Sequence, residues 1–243
     1  MALSKVGKNQ VDQSASLTVD GDLTVDTDTL YVNSANNKVA VGTASPSTKF
    51  HVQSAGDNYI TSRDSTSGGI AGVILQNGSD TRGIRINGSS LQLHDHSANL
   101  TRLNIDASGH VTMPYQPAFS AYNGPGPGIT SAAYALAFTS GVTNVGGHYS
   151  TSTYRFTAPV AGTYFFMHNA MSNGGYNRTR YKKNGAYVGN EFFSGNVGYT
   201  NLVGSIVLTL AVNDYVQVWN DVGGNGQGDV HADYRAFSGF LIG

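Results

Sequence analysis

Apolar and polar residues alternate with a period of two along most of the chain, the pattern of half-buried strands. Leu17 and Val19 share one face of a short segment, and Leu23 and Val25 share one face of the next, with Asp20-Gly21-Asp22 between them as a turn. Leu30-Tyr31-Val32, Val39-Ala40-Val41 and Phe50-His51-Val52 continue the alternation, broken at Asn36-Asn37. Farther on, Val73/Leu75, Ile84/Ile86 and Leu91/Leu93 alternate between the hairpin signals Asn77-Gly78 and Asn87-Gly88. That pattern predicts a small β meander or sandwich-like piece. Beyond Met113-Pro114 the aromatics become dense. Ile206, Leu208 and Leu210 share a face, as do Val216 and Val218, and Lys183-Asn184-Gly185 marks a hairpin.

The apolar faces near the start are only two or three residues long, and a flat pair of such strands cannot bury enough surface to stand alone. Three chains wound around an axis could, each supplying one wall of a shared core. Residues 1–16 are polar and without period, which predicts a segment disordered alone that docks onto another component. Three parts follow: an anchoring segment over 1–16, a β-rich stem over 17–112 and a tip domain over 113–243.

Composition sharpens this. Gly accounts for 31 of 243 residues, charged residues for 12%, and Glu191 is the lone glutamate. Strong helix formers of the surface type are scarce, whereas turn formers abound. The chain therefore reads as all-β. A net charge of −1 gives no reason to expect nucleic acid, and the Arg178–Lys183 basic run reads as a solvated turn. The absence of cysteine excludes disulfides, Cys-based zinc sites and thiol nucleophiles. The first residues lack the apolar core of a secretory leader, and no apolar run is long enough to insert in a bilayer.

The run from Phe138 to Phe166 carries aromatic and small residues at Phe138, Asn144, Tyr149, Phe156, Gly162, Tyr164 and Phe166. This spacing resembles the C1q/TNF-like globular head domain. Pro117–Asn123 resembles that family's first strand and Phe237–Ile242 its closing strand. The resemblance implies a jelly-roll β-sandwich that packs as a homotrimer, with Tyr154, Phe165 and Phe240 as candidates for the interface. Thr29–Val52 and Arg102–Met113 resemble segments of phage tail fibres. Together the two resemblances imply a homotrimeric bacteriophage fibre or spike, made in the host cytoplasm and carried on the virion. Its N-terminus would hold a tail or capsid protein, and its tip a host surface glycan or outer-membrane component. The rival expectation is a purely structural capsid-decorating or tail-connecting fibre whose tip domain only trimerises.

Candidate chemistry is sparse. His94-Asp95-His96 places two imidazoles on one strand face, and three such pairs around an axis would suit Fe or Zn; a polar turn is the alternative. Asp221, Asp229 and Asp233 are candidates for Ca²⁺ near the tip, or plain loop carboxylates. The Tyr-, Asn- and Gly-rich loops offer Tyr176, Asn177, Arg178, Phe192, Tyr199 and Asn225 for surface recognition, or serve only as hairpin connections. No Gly-x-Ser-x-Gly elbow or phosphate loop occurs, and one Glu makes a paired-carboxylate hydrolase a poor fit. No enzyme is expected, and no cofactor is required.

Overall fold

The computed structural model describes residues 22–25, 29–66, 68–124, 133–173, 176–195, 198–221 and 230–243. Among these residues every regular element is a strand. The chain divides into two compact units, Met1–Arg63 and Asp64–Gly243. No helix among the described residues is long and apolar enough to cross a membrane.

In the first unit, β1 (Leu23–Val25), β2 (Leu30–Asn33), β3 (Lys38–Val41) and β4 (Phe50–Val52) form one sheet in sequence order. The first three strands are antiparallel, whereas β4 returns parallel to β3, with Val39 opposite Phe50 and Val41 opposite Val52. The Asp22 carboxylate accepts hydrogen bonds from the Tyr31 hydroxyl and from the Ser34 amide, both at 2.7 Å, and so ties the two ends of the first hairpin. Ala40 is buried, but Val25, Val41 and Phe50 remain exposed.

The second unit opens with an antiparallel meander: β5 (Ile70–Asn77), β6 (Asp80–Asn87), β7 (Ser90–Asp95), β8 (Leu100–Ile105) and β9 (Val111–Thr112). Both expected Asn-Gly turns form. Asn77 pairs with Asp80 and Asn87 with Ser90, which leaves two-residue loops headed by Gly78 and Gly88, each with φ near +59°. A positive φ at that position is what a II′-type hairpin demands, and glycine meets it without steric cost.

The rest is a two-sheet sandwich. Its strands are β10 (Ala118–Tyr122), β11 (Tyr134–Ala135), β12 (Ser140–Val145), β13 (Tyr149–Ser150), β14 (Arg155–Thr157), β15 (Gly162–Asn173), β16 (Asn177–Lys183), β17 (Ala186–Ser194), β18 (Tyr199–Leu210), β19 (Tyr215–Asn220) and β20 (Val230–Leu241). One sheet runs β12-β10-β20-β15-β18 and the other β13-β14-β19-β16-β17, with β11 added on β19. Apart from the β13–β14 and β16–β17 hairpins, sequence neighbours thus fall in different sheets, the crossing pattern of a jelly roll. The β16–β17 hairpin turns on Asn184 and Gly185, at φ of 51° and 84°. Positive φ at both positions is the I′ requirement that makes Asn-Gly the favoured pair.

Inward positions follow the period of two. Tyr164, Phe166, His168 and Ala170 are buried on β15, as are Leu202 and Leu210 on β18 and Val216 and Val218 on β19. Phe119 lies at the centre of the core, 4.7 Å from the Tyr149 ring, 5.1 Å from Phe156 and 4.8 Å from Phe237. Stacked and edge-on rings of this kind add about 0.5–1.5 kcal/mol per pair beyond their burial. The spacing of the signature residues has a local cause. The Asn144 side chain brackets Tyr149, donating to its carbonyl at 2.7 Å and accepting from its amide at 3.0 Å. The Tyr149 hydroxyl then donates to the Phe138 carbonyl at 3.0 Å, and the Tyr164 hydroxyl to Val160 at 2.8 Å.

Candidate functional site

Two surfaces of the sandwich stand apart from ordinary solvated polypeptide. The first is the outer face of the β12-β10-β20-β15-β18 sheet. Pairing aligns outward residues in rows across it: Val145, Ala118, Phe240, Phe165 and Val207; then Thr143, Ser120, Ser238, Met167 and Ser205; then Ser140, Tyr122, Ala236, Asn169 and Val203. None of these positions carries a charge. Phe165 and Phe240 touch, with ring centroids 5.5 Å apart. Met167, Val203, Val207, Tyr122 and Phe240 are all exposed in the single chain. One end of the face holds a hollow lined by Asn123, Asn169, Asn201 and Tyr234 together with Asp233 and Arg235.

Phe165 and Phe240 were expected at an interface, and they lie together on this face. Tyr154, expected with them, does not. It sits in the turn between β13 and β14 of the other sheet, at a φ of 56°. Met167, Val203 and Val207 were missed, although each alternates with core residues and so had to face outward.

The second surface is the loop end of the sandwich, where β16 begins, β17 ends and β18 begins. Tyr176 and Phe193 stack at 5.9 Å, and Phe193 and Tyr199 are 63% and 69% exposed. Beside them Arg178 and Arg180 form a closed square with Glu191 and Asp221, at nitrogen–oxygen distances of 3.1–3.2 Å. Two cations meet two anions, so the square is electrically balanced. Outward on the same sheet, Lys182 stands 3.5 Å from the Trp219 ring centroid and 4.4 Å from that of Tyr187. The Tyr187 hydroxyl is held above its usual pKa by burial and by the Asp221 carboxylate.

Three expected recognition residues need correction. Asn177 is buried and donates to the Ser172 hydroxyl at 2.7 Å, so it cannot reach a partner. Phe192 turns inward, its ring 5.3 Å from His168 and 6.3 Å from Tyr181. Its neighbour Phe193 takes the outward place, because successive strand residues point to opposite sides. Arg178 is occupied by the acidic pair. Asn225 lies outside the described residues, whereas Tyr176, just before β16, and Tyr199, the first residue of β18, are exposed at the loop end.

Among the described residues no group of three or more His, Asp or Glu could hold a metal ion. His94 and His96 stand edge to face at 4.7 Å, and His94 is buried with its Nδ1 3.3 Å from the Thr101 hydroxyl. Both imidazoles lie on the polar face of the meander: His94 pairs with Gly83, and His96 covers that glycine. An axis lined by the apolar face would have these rings pointing away from it. Asp221 is bound by the two arginines, and Asp229 lies outside the described residues. Asp233 is exposed at the rim of the amide-lined hollow.

The sequence also concealed His168. It is fully buried, with Nε2 2.8 Å from the Thr179 hydroxyl and Tyr181 and Phe192 edge-on to its ring. Burial pushes its pKa down to about 4. The clue was its phase, two and four residues after Phe166 and Tyr164.

Comparison with known proteins agrees with this architecture. A family model described as the C1q domain matches residues 118–242. Complement C1q tumor necrosis factor-related protein 5 of Rattus norvegicus is 30% identical over 136 residues, covering 54% of this chain and 55% of that protein. The chain thus spans about half the length of the curated relative it matches. The globular domain of zebrafish complement 1qA protein is similar with a TM-score of 0.43 at 28% identity, over 53% of this chain and 98% of that one. Murine APRIL gives a TM-score of 0.38 at 9% identity, over 52% and 99%.

The Rattus norvegicus relative overturns the expectation of a bacteriophage fibre, and with it the virion location and the capsid-decorating or tail-connecting alternative. The error has a physical root. The segments that resembled tail fibres, Thr29–Val52 and Arg102–Met113, are short β alternation broken by polar turns, which any one-sided sheet displays. From the aromatic core, the Asn144 bracket and the match over residues 118–242, the chain belongs to the C1q domain family.

Proposed function

We propose that this chain is a homotrimeric binding module whose C1q domain associates through the outer face of the β12-β10-β20-β15-β18 sheet. The observation that carries the reading is the uncharged composition of the three paired rows of that face, with Met167, Val203, Val207 and Phe240 exposed in a single chain and Phe165 half-buried against Phe240. C1q domains typically form homotrimers. Charge depletion with aromatic and Met enrichment is the signature of an interface core. Residues 113–243 act as the assembly and binding part, and residues 17–112 as the stem.

The loop end is the recognition surface. Tyr176, Phe193 and Tyr199 offer rigid apolar faces with polar edges, suited to sugar rings or a protein surface. Three copies on one particle multiply weak individual contacts by avidity. The arrangement serves binding rather than catalysis, since the perturbed groups are held in structural bonds.

The test is Phe165→Asp in the full chain. It sets three carboxylates in an apolar contact, and the expected result is loss of the trimer with β-sheet circular dichroism retained. A trimer that persists unchanged in the variant would refute the assignment of this face.

A further inference from the structure

The five-stranded meander β5–β9 has two chemically opposite faces. Register places Val73, Ile84, Leu93 and Leu103 in one row, and Ala71, Ile86, Leu91 and Ile105 in the next. Ile105 also pairs with Val111. Every residue in these rows is aliphatic. Val73, Ile84, Ile86, Leu91, Leu93 and Val111 are 40–58% exposed, and Leu75 on the edge strand is 62% exposed. Together they form an apolar patch on the order of 500 Å², at the upper end of what a lone protein leaves in water.

The opposite face is polar. Arg85 donates to Gln92 at 3.0 Å, and Gln92 to Asn104 at 3.1 Å, in a ladder across three strands. His94, Thr101 and Thr81 lie on the same side, and only Ile70 and Ile74 of the edge strand depart from the pattern.

We infer that the apolar face of this sheet packs against the same face of two further copies of the chain, forming a three-walled β core beneath the C1q trimer. The inference rests on the homotrimer reading and extends the interface to a sheet outside residues 118–242. Continuity points to copies of this chain as the occupant. The link Met113–Pro117 is short and tied down: Gln116 donates to the Leu241 carbonyl at 2.6 Å, and Leu241 donates back to the Pro117 carbonyl at 3.0 Å. The meander is therefore held next to Phe240, in the most apolar row of the proposed domain interface. Charge is confined to one end of the apolar rows, where Arg82 and Asp95 face each other at 2.9 Å and Arg102 holds the second Asp95 oxygen at 2.9 Å. Identical aliphatic faces are self-complementary, and three of them closing on an axis leave no wall uncovered.

The test uses the natural absence of cysteine. Single substitutions Ile84→Cys, Ile86→Cys, Leu91→Cys and Leu93→Cys are made in the full chain, with Gln76→Cys on the polar face as control. Maleimide labelling of the four is expected to run about 100-fold slower than the control, as for sites exposed only by local opening. Copper-catalysed oxidation is expected to join two chains at one or more of the four positions and not at Gln76→Cys. A particle of trimeric mass whose four cysteines label as fast as the control overturns the inference and leaves the C1q trimer standing. Protection without any cross-link means another occupant, and also overturns it. A monomeric particle removes both readings.

Discussion

His168 makes the core of the C1q domain sensitive to acid, and the size of the effect follows from its surroundings. The ring is enclosed by Tyr181, Phe192 and Thr179, and burial alone holds its pKa at about 4 against an ordinary value of 6.5. In the unfolded chain it protonates as pH drops below that ordinary value, while in the folded chain it stays neutral until about pH 4. Unfolding therefore takes up a proton across this window, and stability falls as pH falls. From pH 7.5 to pH 4.5 the loss is about 2.5 kcal/mol, from 1.36 kcal/mol per unit of pKa difference. The perturbation is His168→Gln, which keeps a polar group toward Thr179 and cannot titrate. The assay is urea unfolding of both proteins at a fixed chain concentration, because assembly couples to stability. The variant is expected to be the less stable at pH 7.5 through imperfect packing, with the gap closing by about 2.5 kcal/mol by pH 4.5. Carboxylates elsewhere titrate equally in both proteins and cancel. Wild type and variant that lose stability in parallel across this range would refute the reasoning.

Two further substitutions probe the packing. Asn144→Ala removes both bonds that bracket Tyr149 and leaves a backbone carbonyl and amide short of partners. Its expected cost is about 1–3 kcal/mol in denaturant unfolding, and a change under about 0.5 kcal/mol would show that the bracket is not structural. Gly204→Ala places a methyl 2.4 Å from the Phe192 ring, so the ring must swing out. The expected loss is about 1–3 kcal/mol, with altered ring-current shifts near His168 by NMR, and an unperturbed spectrum would contradict the packing.

Much of the fold could be read from the chain because it depends on local rules. Alternation identified Ile206, Leu208 and Leu210 as one face, and the Asn-Gly pairs marked hairpins that form at residues 77–80, 87–90 and 183–186. The aromatic signature worked for the same reason, since each of its members meets a specific core or bracketing demand. Side assignment at the loop end was less legible. Tyr176 to Arg178 and Phe192 looked like loop, but they lead into or lie within β16 and β17, and a bulge between Thr179 and Tyr181 shifts the phase on which a reading would depend. Alternation gives relative sides only, so Phe192 and Phe193 could not be told apart until the partner strand was known. Asp221 looked free for a cation because its arginines lie 41 and 43 residues earlier. The fibre reading failed differently: it took the general grammar of a one-sided sheet for the mark of one lineage.

The central claim is that an uncharged sheet face is closed by two more copies of the chain. Sedimentation equilibrium of the full chain at micromolar concentration and neutral pH tests it most directly. The account expects a single species of three 25.5 kDa chains, with no monomer in the dilute fractions. A stable, cooperatively folded species of one chain mass would contradict it.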